Sequence, residues 1–215
     1  MNPLKLVVVS AGLSLPSSTR LLADRLADAT RESLTDAGRE VDVQVVELRD
    51  LATDIAHNLV NGFPGPALRG ALEAVEGADG VIAVTPGSCR RRANGCSSAS
   101  YSGLFKSFDL LENTALVGKP VLVAATGGSS RHSLVLEHAL RPLFAYLRAV
   151  VVPTGVYGAS EDWGAAGDRR TDGLAARIHR AGGELAGLMG GRPAVAGPAE
   201  VVVPFEQQLA ALRSA

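Results

Sequence analysis

What most limits how this chain can fold is a repeating order of short, unbroken apolar runs and longer amphipathic stretches. Leu6–Val9 reads Leu-Val-Val-Val, the pattern of a strand buried on both faces. Gly12 and Pro16 break it, and Ser17-Ser18-Thr19 stands before a stretch with Leu21, Leu22, Leu26 and Ala29 on one side, closed by Gly38. Serine and threonine there are natural N-caps, because their oxygens accept the first unpaired backbone N–H groups. Val41, Val43 and Val45 alternate with polar residues, as in a more exposed strand, and Val46 continues the run. Asp50–Pro66 reads as a loop ending in Gly-Phe-Pro-Gly-Pro, followed by a helix over Ala67–Glu76. Strands are expected at Gly80–Thr85, Pro120–Ala125 and Val150–Val152, and helices at Ser102–Leu116, His132–Arg148 and Asp168–Met189. Strand and helix thus alternate five times. That order implies a parallel sheet covered on both faces, and right-handed crossovers favour the doubly wound strand order 2-1-3-4-5.

A chain of 215 residues fits one domain, here 1–190, with a Gly/Pro-rich tail over 191–215 that carries a short amphipathic piece around Phe205–Leu212. The net charge of −1 gives no field that would gather nucleic acid or an anionic membrane. Aromatics make up 4% of the chain, too few for a base-stacking platform. No stretch approaches the ~20 apolar residues of a membrane span, and no signal-peptide pattern precedes the first strand, so a soluble, cytoplasmic protein is expected. Cys89 and Cys96 are read as two thiols on a loop, since neither a disulfide framework nor a metal site has the residues it needs.

In doubly wound sheets, ligands bind beyond the carboxyl ends of the strands, at the switch point between strands 1 and 3. Three loops converge there: Ser10–Arg20, Pro86–Gly103 and Thr126–Arg131. The first brings Ser10, Ser17, Ser18 and Thr19 to a helix N-terminus, where hydroxyls, free N–H groups and the dipole suit a phosphate, with Arg20 as an added charge. The same serines would serve equally as plain helix caps. The Gly-Lys-Ser/Thr ending of a P-loop is absent, and so is Gly-x-Gly-x-x-Gly. Both absences turn the reading from ATP and Rossmann-bound NAD toward a mononucleotide such as FMN. Thr126, Gly127 and Gly128 in the third loop allow close backbone approach to a ring, although a Gly-Gly turn after a strand is also ordinary.

Thr85-Pro86, the segment Ala99-Ser100-Tyr101-Ser102-Gly103-Leu104-Phe105-Lys106, and Ala125-Thr126-Gly127-Gly128 together resemble the NADPH-dependent FMN reductases. Within that family the likeness is to the flavin reductases of two-component alkanesulfonate monooxygenases, over about Leu4 to Val156. The resemblance implies a flavodoxin-like fold and hydride transfer from NADPH or NADH to FMN, with reduced flavin passed to a flavin-dependent monooxygenase. It assigns Ser17, Ser18 and Thr19 to the phosphate. It sets Pro86, Ser100, Tyr101, Ser102 and Gly103 along the ribityl chain and ring, and Thr126, Gly127 and Gly128 at the ring edge. No residue acts as acid or base, because hydride passes directly between the two rings and the protein supplies stacking and orientation. A homodimer or homotetramer is implied as well. Pro142 has no N–H to return to the His138 carbonyl, a defect that kinks a helix or hosts a π-bulge. By resemblance, His138 marks such a bulge at an oligomer interface near the flavin, whereas an unbroken helix over Leu136–Pro142 would contradict it.

The chain departs from the family between Pro86 and Ser100, where Gly87–Ser98 is longer and lacks an aromatic pair. Three readings of that segment stand: a solvated insertion, an Arg90–Arg92 patch for the 2′-phosphate of NADPH, or a redox role for Cys89 and Cys96. Two other functions compete with the leading one. One is an FMN-retaining quinone, azo-dye or metal-ion reductase; the other is a flavin-binding protein whose activity the long loop has impaired. A Ser–His–Asp hydrolase is set aside, since Gly-x-Ser-x-Gly is missing.

Overall fold

The computed structural model describes residues 2–87, 91–92, 95–96, 104, 107–112, 114–163 and 169–191. Strands β1 (Leu4–Ser10), β2 (Val41–Glu47), β3 (Gly80–Pro86), β4 (Pro120–Gly127), β5 (Val150–Val151) and β6 (Val156–Ala159) form one sheet. Its order is β2-β1-β3-β4-β5, all parallel, with β6 also paired to β4. The expected doubly wound order is therefore the observed one. The fifth strand is longer than its sequence suggests. Pro153 interrupts it, and the chain rejoins the same edge of β4 at Val156, four residues beyond the expected end at Val152.

Alternation along the central strands sorts the core into two layers. Leu6 and Val8 of β1, Ile82 and Val84 of β3, and Leu122 and Ala124 of β4 face helix α1 (Ser18–Asp36) and helix α5 (Arg169–Gly191). Val7, Val9, Val81, Ala83, Val121 and Val123 face the other way, toward α2 (Ala52–Asn61), α3 (Pro66–Glu76) and α4 (Arg141–Tyr146). Each residue type thus sits where the period of two puts it. Where α3 ends, the buried Lys119 ammonium donates to the Val75 and Glu76 carbonyls at 2.7 and 2.6 Å, tying that terminus to the start of β4.

Three sequence expectations are corrected. Asp50–Pro66 is not all loop: Ala52–Asn61 is helical, closed by Gly62 at φ 76°. Only Ile55 and Asn58 of that helix are buried, so its apolar signal is thin. The helix expected over Ser102–Leu116 is helical at Leu104, Ser107 and Phe108, but the chain turns at Asp109–Leu110 and again over Thr114–Gly118. The single helix expected over His132–Arg148 is three pieces: a 3-10 turn at Ser130–His132, a π-helix at Leu136–Leu140, and α4. The π-turn is the bulge expected at His138. The Arg141 N–H reaches back five residues to the Leu136 carbonyl, next to the position where Pro142 has no donor. Among the described residues no helix is long and apolar enough to cross a membrane. The tail expected over 191–215 lies beyond the described residues from 192 onward.

Close packing of α1 on α5 rests on one glycine. A Cβ on Gly182 would lie 2.9 Å from the Ala29 and Thr30 backbone, whereas one on Gly187, in the same helix, would meet nothing within 4 Å. Gly182→Ala is expected to destabilise by about 2–3 kcal/mol, because the clash is with backbone, before a helix-propensity gain of about 1 kcal/mol. Gly187→Ala keeps that gain alone. Denaturant unfolding of the two variants should move in opposite directions.

Candidate functional site

Parallel pairing puts the carboxyl ends of four strands side by side. Ser10 lies opposite Glu47 of β2 and Val84 of β3, and Pro86 lies opposite Thr126 of β4. The ladder runs on past the strands. Ala11 N–H donates to the Val84 carbonyl at 2.9 Å, Leu48 N–H to the Ser10 carbonyl at 2.9 Å, and Gly87 N–H to the Thr126 carbonyl at 2.6 Å. The three loops therefore leave the sheet from one edge, as the sequence reading requires.

In the first loop Ser17 is the N-cap of α1, its Oγ accepting from the Arg20 N–H at 3.2 Å. The N–H groups of the first turn are otherwise without intrahelical acceptors, as at any helix start. Gly12 makes the tight approach possible, since a Cβ there would fall 2.2 Å from Ser17 Oγ. Ser18 is exposed at the first helical position, and Thr19 is buried. The Thr19 and Thr126 hydroxyls share a hydrogen bond of 2.8 Å, which fastens the start of α1 to the end of β4. Ser10 is fully buried, and its Oγ has no hydrogen-bond partner among the described residues.

Arg20 does not stand as a free charge in this loop. Its Nε meets Asp24 at 2.8 Å and its Nη1 meets Glu47 at 2.6 Å. Hydrogen bonding to Asp24 holds the guanidinium above its ordinary pKa, with Glu47 adding to the effect. Glu47 also takes Arg49 at 2.7 Å, and Arg49 Nη1 donates to the Ser14 carbonyl at 3.4 Å. The loop is thus braced from β2 by a chain of ion pairs rather than carrying a cation of its own.

The second loop starts at Pro86 and Gly87, both half-buried. Arg91–Arg92 pairs antiparallel with Gly95–Cys96. The expected site residues Ser100, Tyr101, Ser102 and Gly103, together with Cys89, lie outside the described residues. In the third loop Thr126 is buried, Gly127 half-buried and Gly128 exposed, and a Cβ on Gly128 would meet nothing within 4 Å. His132 and His138 are both exposed.

Sequence reasoning missed what β6 brings. Tyr157 donates its hydroxyl to the Ser129 carbonyl at 3.0 Å, and Ser160 Oγ donates to the Gly127 carbonyl at 3.4 Å. Asp162 accepts the Ala159 N–H at 2.7 Å. Burial, with the nearby Asp162 charge, pushes the Tyr157 phenol above its ordinary pKa, so it remains a donor. The run Val156-Tyr157-Gly158-Ala159 was a readable strand, but only to a reader who took Pro153 as an interruption rather than an end.

The comparisons agree with this geometry. The model of the family described as NADPH-dependent FMN reductase matches residues 4–164. FMN reductase (NADPH) from Pseudomonas aeruginosa is 37% identical over 194 residues, covering 89% of this chain and 95% of its own. NADH-dependent FMN reductase SfnE from Pseudomonas putida is 36% identical over 197 residues, covering 90% and 97%. Among solved structures, an oxidoreductase from Corynebacterium diphtheriae superposes with a TM-score of 0.80 at 38% identity, over 90% of this chain and all of that one. The apo form of the NADH:FMN oxidoreductase EmoB gives 0.63 at 26% identity, over 83% of this chain and 88% of that one. With the fold, the three loops that start from one edge of the sheet and these relatives in agreement, the chain belongs to the NADPH-dependent FMN reductase family.

Proposed function

We propose that this protein transfers a hydride from NADPH or NADH to FMN and supplies reduced flavin to a partner monooxygenase. The observation that carries the reading is Gly128. No side chain or backbone of the described protein requires a glycine there, because a Cβ would stand in open space. Its φ is not positive either; among the described glycines a positive φ is found at Gly38, Gly62 and Gly118. Open glycines also stand on helix surfaces, as at Gly187, so the place is what matters: Gly128 is on a loop at the switch-point edge, where a bare backbone suits a planar ring lying against it. The Ser10 Oγ at the same edge adds a buried polar group with no partner among the described residues.

Bound FMN supplies the hydride-accepting ring. The chain's part is to hold it: Ser17, Ser18 and Thr19 take the phosphate at the start of α1, Pro86 and Ser100–Gly103 border the ribityl chain and ring, and Thr126–Gly128 lie by the ring edge. Relatives named for NADPH and for NADH match about equally well, which supports either nucleotide as donor. Self-association fits the exposed apolar residues flanking the π-turn, with Leu134 60% and Tyr146 78% exposed. A cytoplasmic setting, where NAD(P)H is plentiful, goes with this chemistry.

The test is NADPH and NADH oxidation by the purified protein, with and without added FMN. Turnover only when FMN is added is expected, and no turnover with either nucleotide contradicts the reading. Turnover without added flavin points to the FMN-retaining alternative. Gly128→Ala should unfold at the wild-type temperature yet raise the KM for FMN about tenfold, since its new methyl meets the ring alone; an unchanged KM would remove the ring from that loop. Ser17→Ala should lose about 1 kcal/mol of stability with its cap and weaken FMN as well, read by thermal melts and flavin titration.

A further inference from the structure

We infer that Tyr157 is a positioning residue for flavin reduction, joining the second and third loops so that both meet the ring at a fixed spacing. The inference rests on the function proposed above. Tyr157 is 3% exposed and lies opposite Ala125 on β4, so it sits in the core beneath the loop edge rather than in the site. Its two ends reach different loops. The hydroxyl donates to the Ser129 carbonyl at 3.0 Å, fixing the residue that directly follows Gly127 and Gly128. The ring lies against Gly87, the first residue after Pro86, where a Cβ would come within 3.1 Å of Tyr157 Cε2 and 3.0 Å of Val135. Gly87 is in turn bonded through its N–H to the Thr126 carbonyl at 2.6 Å. One rigid side chain therefore supports the floor of one loop and the backbone of the next, and neither contact reaches a ligand directly. Deleting the hydroxyl leaves a part-buried carbonyl without its donor and frees the Gly127–Ser129 turn to shift.

Tyr157→Phe removes only the oxygen. Thr154→Val, which deletes a hydroxyl bonded to Glu184 at 2.7 Å, serves as a control for plain destabilisation in the chain leading into β6. Hydrogen exchange of the free protein over 127–130 and steady-state kinetics against FMN and NADPH are then compared. The expected result for Tyr157→Phe is faster exchange at 127–130, a KM for FMN raised roughly fivefold to tenfold, and an unchanged KM for NADPH. Unchanged exchange overturns the inference. So does faster exchange with the wild-type KM for FMN, or a loss no larger than that of Thr154→Val. A wild-type protein that does not reduce FMN overturns the function reading itself, and that result is distinct because the exchange comparison needs no flavin.

Discussion

Everything at the working edge of this molecule depends on β3 and β4 being buried on both faces. Gly80 to Thr85 and Pro120 to Thr126 are buried without a break. A run of that kind can be satisfied only in the middle of a parallel sheet, with helices above and below. Once β1, β3 and β4 are neighbours in register, their carboxyl ends coincide, and the loops after them leave the sheet from one edge. The switch point is then a consequence of burial, because α1 must cross one face while α3 leads back across the other.

Around that edge, short polar contacts set positions that burial leaves loose. The Thr19–Thr126 hydrogen bond and the Ser17 cap fix where the positive end of α1 points. The Arg20–Glu47–Arg49 chain braces the same loop from β2 and leaves little free cationic charge on it. An anion held there would be met by backbone N–H groups and the helix dipole more than by guanidinium, a geometry that favours a fixed phosphate on a flexible ligand. Partly exposed ion pairs of this kind contribute little to stability, so their effect is on position rather than on folding.

The sequence carried the strands because Val-rich runs bounded by Gly and Pro admit few alternatives. It carried the start of α1 because Ser17 has a cap's chemistry. It failed at α2, where two buried residues in ten made no readable stripe, and at β6, where Pro153 looked like the end of a strand. Pro142 announced a kink or a π-bulge, since a missing donor is a local fact that tertiary packing cannot restore, and the family resemblance chose the bulge. What lies between partners distant in sequence stayed hidden. Arg20 reads as an added charge beside the phosphate until Asp24 and Glu47 are found against it, and Tyr157 carries no signal until Ser129 is seen above its hydroxyl.

The proposed FMN site is the edge formed by Ser10, Ser17–Thr19, Pro86 and Thr126–Gly128. A crystal structure of the protein with FMN tests it most directly. The 5′-phosphate is expected on the backbone N–H groups at the start of α1, with the ring against Gly127 and Gly128. A flavin bound away from this edge, or a phosphate held by Arg20 with its pairs to Asp24 and Glu47 broken, would contradict it.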